Sequence, residues 1–192
     1  MKHGLSPTMA AFAIATLIVT PALAQPNMST SYSYYAVSGN SLAEIHRAMV
    51  SRGPVLNGAR SYGLTIASPG RKMSVANCKA SGHYSLAVNV SIRLPKVSGS
   101  SHLSAADVGQ WNRFSQFVRK HEEKHRSIWR GCSADFERKF LAGETSDCET
   151  AHSRAMKLWS QMVAACMPKQ LAFDAAQRGV LKSHPFMKYA SR

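Results

Sequence analysis

His121, Glu122 and His125, in the run His-Glu-Glu-Lys-His, are three side chains that can do chemistry together. Two histidines four residues apart on a helix project their imidazoles the same way and can reach one metal ion. Glu122 is turned off that line, where a general base must sit to take a proton from metal-bound water. Glu123 and Lys124 fill the remaining positions and should face solvent. The bland alternative is two core histidines hydrogen-bonded to buried carbonyls, with Glu122 on the surface. Burying two imidazoles side by side is costly unless both find partners, which weighs against it. The expected chemistry is zinc (Zn2+) held by His121 and His125, with Glu122 as the catalytic base. A hydrolytic zinc site takes three protein ligands plus water. No Gly-x-x-His extension follows the motif, so the third ligand must come from another element. Asp174, His184, His152, Glu149 and Glu144 are the candidates. His46, His83 and His102 have no supporting context.

Two histidines meet one ion only if their segment is helical, and the flanking pattern says that it is. Ser104 and Asp107 suit a helix N-terminus. Val108, Trp111, Phe114, Val118, Ile128, Cys132, Phe136 and Phe140 then continue through His121 and His125 in steps of three and four, as one buried face requires. Gly143 ends the run. A second helix is predicted from Glu149 to about Lys169, with Met156, Trp159, Val163 and Cys166 inward and Pro168 near its stop. The tail beyond it is ambiguous. In the N-terminal half, STSYSYYAVSG reads as a strand ending at Gly39. SLAEIHRAMVSRG reads as a helix with a Ser41/Glu44 capping box, stopped by Gly53-Pro54. RSYGLTIASPGRKMSVANC reads as a hairpin turning at Pro69-Gly70. HYSLAVNVSIRLP alternates, with Leu86, Val88, Val90, Ile92 and Leu94 on one face. There are no internal repeats, so residues 25–192 read as a single α+β domain. Its expected parts are an N-terminal antiparallel sheet with one helix, then the long motif helix and a second, C-terminal helix.

Residues 1–24 read as a signal peptide. Lys2 and His3 precede the apolar run MAAFAIATLIV, and Ala22-Leu23-Ala24 is a cleavage site of the A-x-A kind, cut after Ala24. The run is too short to span a bilayer and no second candidate exists, so a periplasmic or secreted protein with no membrane span is expected. The chain carries 24 Lys and Arg against 10 Asp and Glu, a formal net charge of +14. Such a field favours weak polyanion contact. The basic residues are scattered, with no block and no aromatic-interleaved motif, which argues against specific nucleic-acid binding. Cys78, Cys132, Cys148 and Cys166 in an oxidising compartment predict disulfides, with three pairings open. The absence of C-x-x-C argues against a cysteine zinc site.

The run YYAVSGNSLAEIHRAMVSRGP, a strand region ending SIRLP, and W-x-R-F-x-x-F-V-x-K-H-E-x-x-H together resemble the bacterial domain-of-unknown-function family 922. That family is described as secreted zinc-dependent proteases with an HExxH motif. The resemblance covers most of the mature chain in order. It implies a zincin-like fold, zinc at His121 and His125, and Glu122 as catalytic base. Its C-terminal pattern, Tyr-Asp-x-x-Thr-x-His-Gly, corresponds here to FDAAQRG at residues 173–179, where the His is absent. Asp174 lies in that segment and is the preferred third ligand. The resemblance also pairs Cys78 with Cys148, leaving Cys132 with Cys166; both of these last lie on inward stripes, so two buried free thiols are the alternative to a second bridge. The resulting expectation is a monomeric periplasmic or secreted zinc metallopeptidase that hydrolyses peptide or protein substrates by zinc-activated water. The alternative is a non-catalytic basic envelope protein, zinc-binding or purely structural, that docks on polyanions.

Overall fold

The computed structural model describes residues 28–69, 88–99, 101–141 and 147–189. The expected leader, the expected turn beyond Pro69, Leu86, Cys78 and Glu144 therefore lie outside the described residues.

The N-terminal half is built on strands that alternate. β1 (Met28–Val37) buries Tyr35 and Val37 near its end, where the chain turns into α1 (Leu42–Arg52). Ser41 Oγ accepts the Glu44 N–H at 3.3 Å, and the Glu44 carboxylate reaches back to the Asn40 N–H at 2.7 Å. The expected cap is present, with its return bond one residue earlier than in a standard capping box. α1 buries Leu42, Ile45 and Met49, and Gly53 closes it before Pro54. Next come β2 (Val55–Leu56) and β3 (Ala59–Arg60), a small antiparallel hairpin. Asn57 (φ 50°) and Gly58 (φ 80°) are both left-handed, as a two-residue hairpin turn requires.

β4 (Leu64–Pro69) and β5 (Val88–Val97) complete a three-stranded sheet of order β1-β5-β4. Alternation along β5 is as expected: Val88, Val90, Ile92 and Leu94 are buried. The sheet is mixed, which corrects the antiparallel expectation. β4 runs antiparallel to β5, pairing Leu64 with Arg93 and Pro69 with Val88, whereas β1 runs parallel to it, from Met28↔Val88 to Val37↔Val97. The physical reason is the connection. β1 reaches its neighbour only after α1, the hairpin and β4, and a connection of that length allows the parallel pairing that a tight turn cannot make. Periodicity reports which face of a strand is buried and says nothing about its direction.

Two long helices form the second half. α2 (Ala105–Leu141) starts where expected, with Ser104 Oγ accepting the Asp107 N–H at 3.1 Å. Trp111, Phe114, Val118, Cys132 and Phe136 are buried along its predicted stripe, although Val108 is exposed. α3 (Cys148–Ser183) is capped by Asp147, which accepts the Thr150 N–H at 2.8 Å. It runs through Pro168, where the sequence pattern placed a stop, and Met156 on its first turns is exposed rather than inward. A 3-10 turn (Pro185–Tyr189) then folds back, and Phe186 stacks on Phe114 with ring centres 4.1 Å apart.

α2 and α3 are antiparallel, as the contact pairs Phe136–Trp159, Cys132–Cys166 and His125–Gln170 show. The middle pair is a disulfide, with Cα atoms 5.9 Å apart. No helix of the described residues is long and apolar enough to cross a membrane.

Candidate metal centre

The antiparallel register carries one turn further, to His121 opposite Asp174. His121 Nε2 and His125 Nε2 lie 3.0 Å apart, and Asp174 Oδ1 lies 3.2 Å and 3.0 Å from them. Three donors at about 2.0–2.1 Å from one tetrahedral ion stand roughly 3.3 Å apart, so this triangle is close to the size a small transition-metal ion requires. It is the one such group of three His, Cys, Asp or Glu donors among the described residues. The donors are two neutral-capable imidazoles and a carboxylate, and Asp174, with 48% of its side chain exposed, leaves an open face. The residues fit a metal.

Neighbouring side chains fix the ligands. The buried Gln170, four residues before Asp174, accepts from His125 Nδ1 at 2.6 Å through Oε1 and donates from Nε2 to the His125 carbonyl at 3.3 Å. An acceptor on Nδ1 holds the proton there and leaves Nε2 with a free lone pair. Phe173 packs against both imidazoles, with ring centres 4.8 Å from His121 and 5.1 Å from His125. Burial lowers the His121 pKa, the neighbouring His125 lowers it further, and Asp174 opposes both. His121 is thus held neutral, the form that ligates metal.

Glu122 is buried, contrary to the bland expectation of a surface position. Thr65 on β4 donates to its Oε2 at 2.7 Å. Gly63 closes over it: a Cβ there would lie 2.6 Å from Glu122 Oε1 and 2.9 Å from Val118 Cγ1. Burial pushes the Glu122 pKa up to about 7, with Asp174 adding to the rise and the Thr65 bond and His125 opposing it. Glu123 departs from its expected solvent position. It is half-buried, taken up by the Tyr32 hydroxyl and by Arg126 at 2.9 Å. Lys124 is exposed as expected.

Of the five candidate third ligands, the structure brings Asp174 to the histidines. His184 sits against Phe114 and Phe117, its Nδ1 accepting the Phe186 N–H at 3.2 Å. Glu149 is exposed in the first turn of α3, 25 residues and nearly 40 Å of helix before Asp174. The His152 side chain and Glu144 are outside the described residues. Gln170, Thr65 and Gly63 escaped the sequence reading. Gln170 had a signal, since residues four apart share a helix face, but ending the helix at Pro168 hid it.

His121, Glu122, His125 and Asp174 line one cleft of about 850 Å³, between β4, α2 and α3 and beside the β2–β3 hairpin. A family model described as a bacterial protein of unknown function (DUF922) matches residues 32–181. No curated protein and no solved structure matches the chain.

Proposed function

The chain belongs to the bacterial DUF922 family, and on that premise we propose that it is a periplasmic or secreted zinc-dependent peptidase. The observation that carries this reading is the donor triangle of His121, His125 and Asp174, with a buried carboxyl, Glu122, lining the same cleft. Two imidazoles and a carboxylate are a zinc ligand set with a position left for water or substrate. Zinc bound there supplies Lewis acidity, lowering the pKa of water and polarising a carbonyl.

The remaining chemistry belongs to the chain. Glu122 is a buried carboxyl beside the histidines, held by Thr65, in the position of a general base. It takes the proton of the attacking water and delivers it to the departing amine nitrogen. Thr65 fixes its carboxylate from β4, and Gly63 lets that strand approach closely enough to do so. Gln170 orients His125, and Phe173 shields the imidazoles on one side. The signal-peptide pattern read in residues 1–24 supports export, and the net charge of +14 supports a weak, incidental attraction to polyanions. The enzyme is read as a monomer acting on peptide or protein substrates.

Zinc content and hydrolysis test this together. Purified protein should hold close to one zinc per chain, and His125→Ala or Asp174→Ala should lose it. Glu122→Gln should keep zinc and fold while peptide hydrolysis falls by roughly 10²–10⁴-fold. A wild-type chain that stays zinc-free after reloading, or a Glu122→Gln variant that cuts as fast as wild type, would overturn the proposal. The motif would then be a structural helix segment in a basic, non-catalytic envelope protein.

A further inference from the structure

We propose that Tyr62, clamped between Tyr35 and His46, is a positioning residue that fixes where the Glu122 carboxyl sits in the cleft. This deepens the peptidase reading and rests on it only for the effect on hydrolysis.

The segment that meets Glu122 is short, and its clearance is small. A Cβ at Gly63 would lie 2.6 Å from Glu122 Oε1 and 2.9 Å from both Glu122 Cγ and Val118 Cγ1. Two residues on, the Thr65 hydroxyl is within reach of Glu122 twice, 2.7 Å from Oε2 and 3.1 Å from the backbone carbonyl. Close-packed contacts have little slack and transmit displacement. A small change in the height of residues 63–65 over α2 therefore moves the carboxyl or admits water to it.

The residue before Gly63 holds that height, because it is gripped at both ends. The Tyr62 carbonyl accepts the Tyr35 hydroxyl at 2.8 Å, from β1. The Tyr62 hydroxyl meets His46 Nε2 at 2.9 Å, from α1. Between these bonds the Tyr62 ring stands edge-on to the buried Phe114 of α2, with ring centres 5.5 Å apart. Each clamp is itself held. Tyr35 is buried, and burial pushes its phenol far above the ordinary value, so it stays a donor. The His46 ring lies against Phe186, and burial lowers its pKa, which favours the neutral ring. A neutral imidazole can bond a hydroxyl in either tautomer.

Filling space does not require this arrangement. Phe at positions 35 and 62 and an apolar residue at 46 would occupy the same volume with fewer polar groups to satisfy. A buried polar network whose members are all paired rigidifies one arrangement of the chain. Here three side chains from three segments form one run of hydrogen bonds, and it ends at the two residues that touch Glu122. His46, which has no supporting context in the sequence, thereby reaches the site through one intermediary.

The test compares Tyr35→Phe, His46→Leu and His46→Gln with the wild type, substitutions that keep most of the bulk in place. Amide hydrogen exchange in the metal-free chains reads the brace, and chelator competition checks that zinc affinity is unchanged. In Tyr35→Phe and His46→Leu, exchange over residues 62–65 should quicken by about tenfold or more, while residues 125–132 of α2 keep wild-type rates. With zinc loaded, kcat on a quenched peptide should fall roughly 10–100-fold at nearly unchanged KM. His46→Gln, whose amide can still meet the Tyr62 hydroxyl, should recover both the exchange rates and kcat. Exchange unchanged over 62–65, or quickened equally along α2, sinks the proposal. So does a kcat that ignores the quickened exchange, or a His46→Gln variant no better than His46→Leu. Should the wild type cut no member of a mixed-sequence peptide library, the peptidase reading falls and exchange alone decides the brace. Cleavage with unchanged exchange keeps the peptidase reading and removes the brace.

Discussion

Gln170 is the side chain on which the precision of the metal centre turns. It is uncharged, buried and not a ligand, yet it touches His125 at both the ring and the backbone. Removing the acceptor in Gln170→Leu frees the imidazole to flip or change tautomer. Zinc affinity, measured by competition with a chelator, should fall roughly 10–100-fold, while Gln170→Glu, which keeps an acceptor for Nδ1, should retain most of it. An equal loss in both variants would mean that Gln170 matters for packing alone. The motif itself was legible, because helical spacing alone aligns His121 with His125. Gln170 and Thr65 were not, because they reach the motif across 45 and 57 residues of sequence. No local pattern records a contact of that kind.

At the scale of elements, the decisive fact is that α3 does not stop at Pro168. An interior proline removes one backbone hydrogen bond and crowds the preceding turn, at a cost of about 3 kcal/mol. Packing on both sides of it offsets that cost: Cys166 and Gln170 are buried, and Phe173 and Leu181 continue the inward face. The helix therefore delivers Asp174 to the histidines. The Cys132–Cys166 disulfide sets the register in which it does so. Cys132→Ser/Cys166→Ser should lose roughly 2–4 kcal/mol in urea unfolding. It should also bind zinc more weakly, because α3 can then slide along α2; unchanged zinc affinity would show that the register is held elsewhere. Asn57-Gly58 was a readable hairpin signal that the strand pattern around it, only two residues on each side, was too short to announce.

Considered whole, the molecule places its candidate site where a mixed sheet ends and a helix pair begins. The three strands of the main sheet, α2 with its buried stripe and the first part of α3 were visible in the sequence because each depends on local periodicity. The parallel pairing of β1 with β5 was not, since strand direction depends on the path of the chain between them. Phe186 belongs to this scale too. Fully buried and stacked on Phe114, it pins the end of the chain's last helix into the core near the start of α2.

Asp174 consequently sits between two anchors on α3, the disulfide at Cys166 before it and the Phe186 plug beyond its end. A rod held at both ends has nowhere to swing, so the cradle is preformed and an incoming ion has little to organise. Calorimetric titration with zinc should then give a heat-capacity change near zero, because almost no apolar surface is buried on binding. Amide exchange along α3 should be nearly the same with and without metal. A large negative heat-capacity change would reveal instead a site that assembles around its ion.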